Sequence, residues 1–469
     1  MSEPRSDDRV PLSSLVAYGP PVFALSSLLF FVQFYFLKFA TDVLLLAPAA
    51  VGVVFALGRV WDAVSDPIVG TWSDRTRTRF GRRRPWMMAG VPLLALCFGF
   101  VWVQPEALGP GGRMAWSMLA LFAFYSAYTV YAVPHQSLGA ELTSSHHERS
   151  RVFGLYAVFF TLGVLTAFGA IQYVNNAGSP RQAAAWVSAG AALLAVGVLS
   201  WPPALLRERS EFQGRGGDQP LQAMKDVLAN PHARLLLVAQ FTQLLGASVI
   251  GILSPYLFEY VLDRTDLIAV LPGAFVVSSM AAVPAWVWLS RRIGKRVTWQ
   301  IAMVTFGVAV GSFFFIDVGR IDILTVQLVV AGAASGCGAA VGPSMLADVI
   351  DWDELQSGER KEGAYSAAWG FAIKASNAAV ILLTGVGLGA MGFVANQEQT
   401  EGAKLGLRLL YSALPFAGYG LGALVLGRYA LDEAEHARIR EALQSRQTEP
   451  SRPTQPERPE GSSKEGSDP

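Results

Sequence analysis

Charge is scarce in this chain. Only 16% of its 469 residues are Asp, Glu, Lys or Arg, against about a quarter in an ordinary soluble chain. Cysteine is scarcer still. Cys97 and Cys337 are the only two, far apart and each inside an apolar segment, which argues against a disulfide framework or a cysteine-held metal site. His146 and His147 lack a companion ligand pair at metal spacing and read as solvated loop residues. No G-x-x-x-x-G-K-[ST] loop is present to hold a nucleotide as a direct energy source. No nucleophile–base pair of an enzyme stands out, and no basic patch for nucleic acid. The N-terminal MSEPRSDDRVPLSS is polar, with acids before the first apolar run, unlike a cleavable signal peptide.

What the chain does have is apolar length. Hydrophobic residues make up 52%, and there are 46 glycines, which membrane helices use for close packing. A membrane-crossing helix needs about 20 apolar residues, and about twelve such spans can be placed. They fall near 14–38, 48–72, 86–104, 114–134, 151–174, 183–202, 233–261, 267–289, 297–316, 324–347, 365–394 and 406–429. The long inner connection, RERSEFQGRGGDQP within 203–232, divides them six and six. The expected units are a tail (1–13), a first bundle (14–202), the connection (203–232), a second bundle (233–430) and a tail (431–469). Residues 431–445 read as a short surface helix, and the Pro-, Ser-, Glu- and Gly-rich end as disordered. The loop SDRTRTRFGRRRP carries six arginines and SRRIGKR is also basic, whereas the alternate loops hold about one base each. The positive-inside rule then predicts both termini in the cytoplasm, as an even number of spans also requires.

The informative exceptions are charges inside spans. Asp62 and Asp66 lie four apart in VGVVFALGRVWDAVSDPIVGTW, on one helix face, with Arg59 three residues before. Carboxylates at that depth face a protein interior or a water-filled path. They predict a site for a proton or a hard monovalent cation. Lys374, in GFAIKASNAAV, is the other such charge. Rise per residue puts it roughly 12 Å from the inner end, beside roughly 10 Å for Asp66 and roughly 16 Å for Asp62. Lys374 is therefore read as a partner that competes with the cation or links its binding to closure. The alternative is a permanent ion pair that only holds helices together.

The halves echo each other: Gly81-Arg82-Arg83 follows the second span and Gly294-Lys295-Arg296 the eighth. Two six-helix bundles with such an echo have the layout of the major facilitator superfamily. GRVWDAVSDPIVGTWSDRTRTRFGRRRPW resembles the signature of the glycoside–pentoside–hexuronide:cation symporter family, to which the melibiose permease belongs. ADVIDWDELQSGERKEGAYS is similar to that family's loop between helices ten and eleven, and VPHQSLGAELT with ERSR matches more weakly. The resemblance, from about Tyr18 to Tyr429, implies an all-α membrane protein of twelve transmembrane helices in two six-helix bundles.

It also implies a cation site formed by Asp62, Ser65, Asp66 and Thr129, with Ser65 in place of an asparagine, and with Arg59 and Lys374 as coupling residues. Asp74, Arg75, Arg82 and Arg83 resemble the superfamily's loop motif, with a longer spacing. With Asp351 and Arg360 they are read as gating residues, or alternatively as charges that set topology and cap helices. The permease holds sugar hydroxyls with acids on helices one and four, where this chain has Ser26, itself a candidate for the substrate pocket, and Ala132. Gln33, Tyr35, Tyr125, Tyr128, His135, Gln136, Gln240, Gln243 and Trp369 remain as pocket candidates, with helix packing as the alternative for each.

The expected function is symport of a small solute, a sugar or glycoside, driven by Na+ or H+ through alternating access. No cofactor, metal beyond Na+, or nucleic acid is expected, and the protein is expected to be a monomer in the cytoplasmic (inner) membrane. A carrier of a lysolipid-like amphiphile, a proton-driven exporter and a scaffold that no longer moves solute stay open.

Overall fold

A chain in hydrocarbon must satisfy its own backbone, and an apolar run of membrane length does so by forming a helix. The computed structural model of the protein describes residues 10–142, 146–206, 220–315 and 319–448. The first half holds α1 (Leu12–Asp42), α2 (Pro48–Arg75), α3 (Arg84–Trp102), α4 (Pro110–Glu141), α5 (His146–Asn175), α6 (Pro180–Ser200) and the one-turn α7 (Pro202–Leu205). A short α8 (Pro220–Ala229) precedes the second half: α9 (Pro231–Tyr260), α10 (Val270–Ile293), α11 (Lys295–Gly311), α12 (Ile321–Ser357), α13 (Glu362–Ala390) and α14 (Glu401–Leu426). The polar α15 (Glu433–Thr448) follows. Twelve helices are long and apolar enough to cross a membrane, and no strand occurs among the described residues.

Local chemistry sets the ends. α2, α4, α6 and α9 begin at proline, whose missing N–H costs nothing in a first turn. Asn230 caps α9 by accepting from His232 N (2.9 Å) and Ala233 N (3.2 Å). Gly81 and Gly294 both have positive φ, 103° and 87°; Gly81 turns the chain out of an arginine-rich loop toward α3, and Gly294 is the single residue between α10, whose last turn holds Arg291 and Arg292, and α11. The sequence echo is thus a repeated turn that favours glycine.

The helix pairings repeat as well. In the first half α1 packs on α5, α2 on α4, and α3 on α4 and α6. The second half repeats this with α9 on α13, α10 on α12, and α11 on α12 and α14. Between the halves the equivalence breaks. α2 lies closely along α13, while its counterpart pair, α5 and α10, meets more sparsely. Just before α10, Gln172 of α5 donates to the Thr265 carbonyl (2.6 Å) and accepts from the Ala269 N–H (2.9 Å), toward the face opposite the arginines.

The α2–α13 approach depends on small residues. A Cβ on Gly385 would come within 2.7 Å of Gly52 Cα and of the Pro48 carbonyl oxygen. Gly385→Val is expected to destabilise the protein by about 1–3 kcal/mol through overpacking. Gly420→Ala, where added bulk meets nothing within 4 Å, is the control. Equal thermal unfolding midpoints for both variants would argue against the close crossing.

Two elements differ from expectation. α12 runs about ten residues past the expected end of its span, to Ser357, because DVIDWDELQS continues the helix beyond the apolar stretch until Gly358 (φ 75°) stops it. α8 lies within the expected loop, where PLQAMKDVLA has one apolar face. Most of the N-terminal tail, residues 207–219 of the connection and the tail from 449 lie outside the described residues.

Candidate cation site

α2 carries the acids because its apolar run is broken on one face only. Asp62 is 3% exposed, Ser65 is buried, and the side chain of Asp66 is 35% exposed. Pro67 follows directly and cannot donate to the carbonyl of Ala63, which adds polarity to the same turn. α4 brings Thr129, fully buried, against these residues, and α13 brings Lys374 from the other half.

The two carboxylates divide their oxygens between two partners. Lys374 Nζ lies 2.8 Å from Asp62 Oδ2 and 2.5 Å from Asp66 Oδ2, and 3.2 Å from the Asp62 carbonyl oxygen. Thr129 Oγ1 lies 3.4 Å from Asp62 Oδ1 and 3.0 Å from Asp66 Oδ1. Ser65 Oγ lies 3.2 Å from Thr129 Oγ1 and donates to the Asp62 carbonyl at 3.2 Å. The Thr129 hydroxyl has one proton and so donates to one of these oxygens at a time. Arg59 donates to Asp62 Oδ2 at 3.4 Å, and its guanidinium sits 5.3 Å from the Tyr125 ring centroid.

This arrangement has a direct chemical meaning. An ammonium group is itself a monovalent cation, and here it occupies one side of a carboxylate pair. The other side offers hydroxyl and carboxylate oxygens, a donor set suited to a hard cation. Two acids and two bases sum to zero charge while Lys374 is docked. Part of the cluster is not covered by protein, since the Lys374 side chain is 21% exposed.

Other candidates scatter. Ser26 serves helix packing: its hydroxyl reaches the Val22 carbonyl (2.8 Å) and the Phe160 carbonyl of α5 (3.1 Å), and it closes on Gly163. Gln243 accepts from Trp299 Nε1 at 2.6 Å inside the second half. Trp369, half-buried, packs against Gly342. Gln136 is exposed, Tyr125 buried and Tyr128 half-buried. Gln33 does join the halves: its Nε2 donates to Asn377 Oδ1 of α13 (3.3 Å), which also accepts from Ser248 of α9 (2.7 Å). Asn377 lies one turn from Lys374 and was not expected from sequence, because a single amide in an apolar run carries no pattern.

At the arginine-rich face, Asp74 pairs with Arg83 (2.7 Å) and more loosely with Arg82 (3.8 Å), while Arg75 is exposed. Arg360 gathers Asp351 (2.9 Å), Glu354 (2.6 Å) and Glu362 (2.7 Å). Neighbouring Lys361 pairs with Asp226 of α8 at 3.0 Å, a bond that raises its pKa above the ordinary lysine value. His436 of α15 reaches Asp351 at 3.0 Å and pins that helix to α12.

The chain is 27% identical to the isoprimeverose transporter of Lactiplantibacillus pentosus, over 91% of this chain and 90% of that one. It is 26% identical to the sodium-dependent lysophosphatidylcholine symporter 1-A of Danio rerio, over 88% and 84%. It is 25% identical to the glucuronide carrier protein homolog of Escherichia coli, over 88% and 91%. Among solved structures, the E. coli xylose transporter XylE in a partially occluded inward-open conformation shares the fold, with TM-score 0.58 and 13% identity over 90% and 98% of the chains. Residues 17–433 match the model of the MFS/sugar transport protein family, and the chain belongs to that family of membrane transporters.

Proposed function

We propose that the protein is a cation-coupled symporter that moves a small hydroxylated solute, a sugar or glycoside, by alternating access. The observation that carries this reading is Lys374 of one half bridging Asp62 and Asp66 of the other. A Na+ ion or a proton arriving at Asp62, Asp66, Ser65 and Thr129 competes with that ammonium. Either ion suits the oxygen set. Binding then loosens the α2–α13 link while the cation takes over the ammonium's charge at the carboxylate pair, so the acids stay neutralised as the site passes through a closed, dry state. The two bundles, 14–202 and 233–430, are read as rocking about this site. The arginine-rich face is read as cytoplasmic, with both termini on it, in the inner membrane, and the chain as a monomer. Asp74, Arg83, Asp351 and Arg360 are read as inner-face latches.

A second reading, an amphiphile carrier, draws on one feature. Ser26 is engaged in packing and Ala132 has no polar group, so the chain offers no acid at either position. A thermal-shift screen of the purified protein with glycosides, free sugars and lysolipids, each with and without sodium, separates the readings. A ligand at a hundred times its Kd stabilises the folded state by about 2.7 kcal/mol. Glycosides are expected to raise the unfolding midpoint more when sodium or low pH fills the cation site. Lysolipids alone giving the shift would replace the sugar reading, and no cation dependence for any solute would overturn symport.

A further inference from the structure

A second lysine lies between two acids, at the other end of the molecule. Lys38 on α1 is 2% exposed. Its ammonium contacts Asp42, four residues on, and Glu259 of α9 at 2.9 Å. It also lies 4.9 and 5.4 Å from the ring centroids of Tyr260 and Tyr256. The Tyr260 hydroxyl donates to Asp42 Oδ2 at 2.7 Å, and the Thr41 and Tyr256 hydroxyls are 3.0 Å apart. Asn396, between α13 and α14, donates to the Asp42 carbonyl at 2.6 Å. One level deeper, the Phe34 ring lies so close to Gly251 that a Cβ there would come within 2.4 Å of it.

We propose that Lys38, Asp42, Glu259, Tyr260 and Asn396 form the outer gate of the transporter, the contacts that part when solute enters from the side opposite the arginines. Lys38 and Asp42 belong to the first half; Glu259, Tyr260 and Asn396 belong to the second. Charge-assisted bonds between the halves suit a gate better than a permanent seam. Apolar packing of the same volume would hold a permanent contact as well or better, because burying charge carries a desolvation penalty. When the halves separate, water replaces each lost bond, so the open and closed forms differ by little. The cluster has two acids to one base, so Lys38 is what keeps Asp42 and Glu259 from repelling across the seam.

This proposal rests on the alternating-access reading, and its test separates the two. Spin labels at Leu45→Cys and Val394→Cys, exposed sites flanking the cluster on opposite halves, report the outer opening in a background with Cys97 and Cys337 replaced by alanine. Labels at Arg77→Cys and Arg291→Cys report the arginine-rich face. Lys38→Met is expected to raise the long-distance outer population about tenfold or more, the usual worth of a bond to a charged group. Glu259→Gln and Tyr260→Phe, milder changes that preserve folding, are expected to shift it the same way, with reciprocal shortening at the arginine-rich face. Two populations that exchange in the unmodified chain but keep their ratio in all three variants overturn the gate alone. A single distance in every protein overturns both the gate and the rocking motion.

Discussion

Asp66→Asn is expected to abolish cation-driven accumulation of solute, a loss of more than about tenfold, while the protein stays folded in the membrane. Asparagine matches aspartate in shape, and its amide oxygen still accepts from Thr129. What disappears is the negative charge that a cation needs, and loss of a charge-assisted partner costs about 1.5–3 kcal/mol. Stability is expected to change little, because the Asp66 side chain is 35% exposed and an ion pair that protein only partly covers contributes little. Asp62→Asn is expected to abolish accumulation as well, with a larger drop in unfolding midpoint. Its side chain is 4% exposed and shares Arg59 and Lys374 as partners, and breaking a buried pair costs about 3–5 kcal/mol. Uptake into vesicles under an imposed sodium or proton gradient, beside thermal unfolding of the same samples, checks both parts. Full gradient-driven accumulation by Asp66→Asn would remove the carboxylate pair from the mechanism.

The difference between these two acids shows where sequence reasoning stops. Both were visible as i, i+4 acids in an apolar run, and helical periodicity placed them on one face. Their unequal burial was not visible, because it depends on how α4 and α13 pack against that face. The same limit applied to α1. Lys38 and Asp42 are also i, i+4 charges beside an apolar run, and Glu259 follows another in LFEY. They lie at span ends, where charges are ordinary, so the pattern reads as a boundary. Only the crossing of α1 with α9 shows that the ammonium is buried between opposing acids. The number of spans and the six-plus-six division were legible because hydrophobic length survives any packing. The solute pocket was not legible, since Ser26 and Gln243 spend their polar groups on neighbouring helices, and no single-sequence signal separates such a bond from a ligand contact.

Lys374→Met is expected to act in the opposite sense to the acid substitutions. Methionine keeps the apolar stem and removes the charge, so Asp62 and Asp66 are left with Arg59 alone, and Arg59 reaches only Asp62, at 3.4 Å. Among the described residues, Asp66 then has Thr129 as its remaining hydrogen-bond partner. A cation entering the site no longer displaces an ammonium held at 2.5 Å and 2.8 Å. Its affinity is expected to rise about tenfold or more, on the strength of one charge-assisted bond. Accumulation of solute is nevertheless expected to fail, because a site that binds the cation tightly without the lysine has lost the link between cation occupancy and the α2–α13 contact. The sodium or proton concentration that half-saturates the thermal shift measures the first effect, and gradient-driven uptake measures the second. An ion pair that only held the helices together predicts something else: a lower unfolding midpoint with the half-saturating concentration unchanged. That outcome would reduce Lys374 to a strut. The double variant Asp66→Asn with Lys374→Met sharpens the distinction. If the two charges act on the same ion, the gain in affinity from losing the lysine is expected to shrink once Asp66 is neutral, leaving only the competition at Asp62, a non-additivity expected of residues in one ion-pair network.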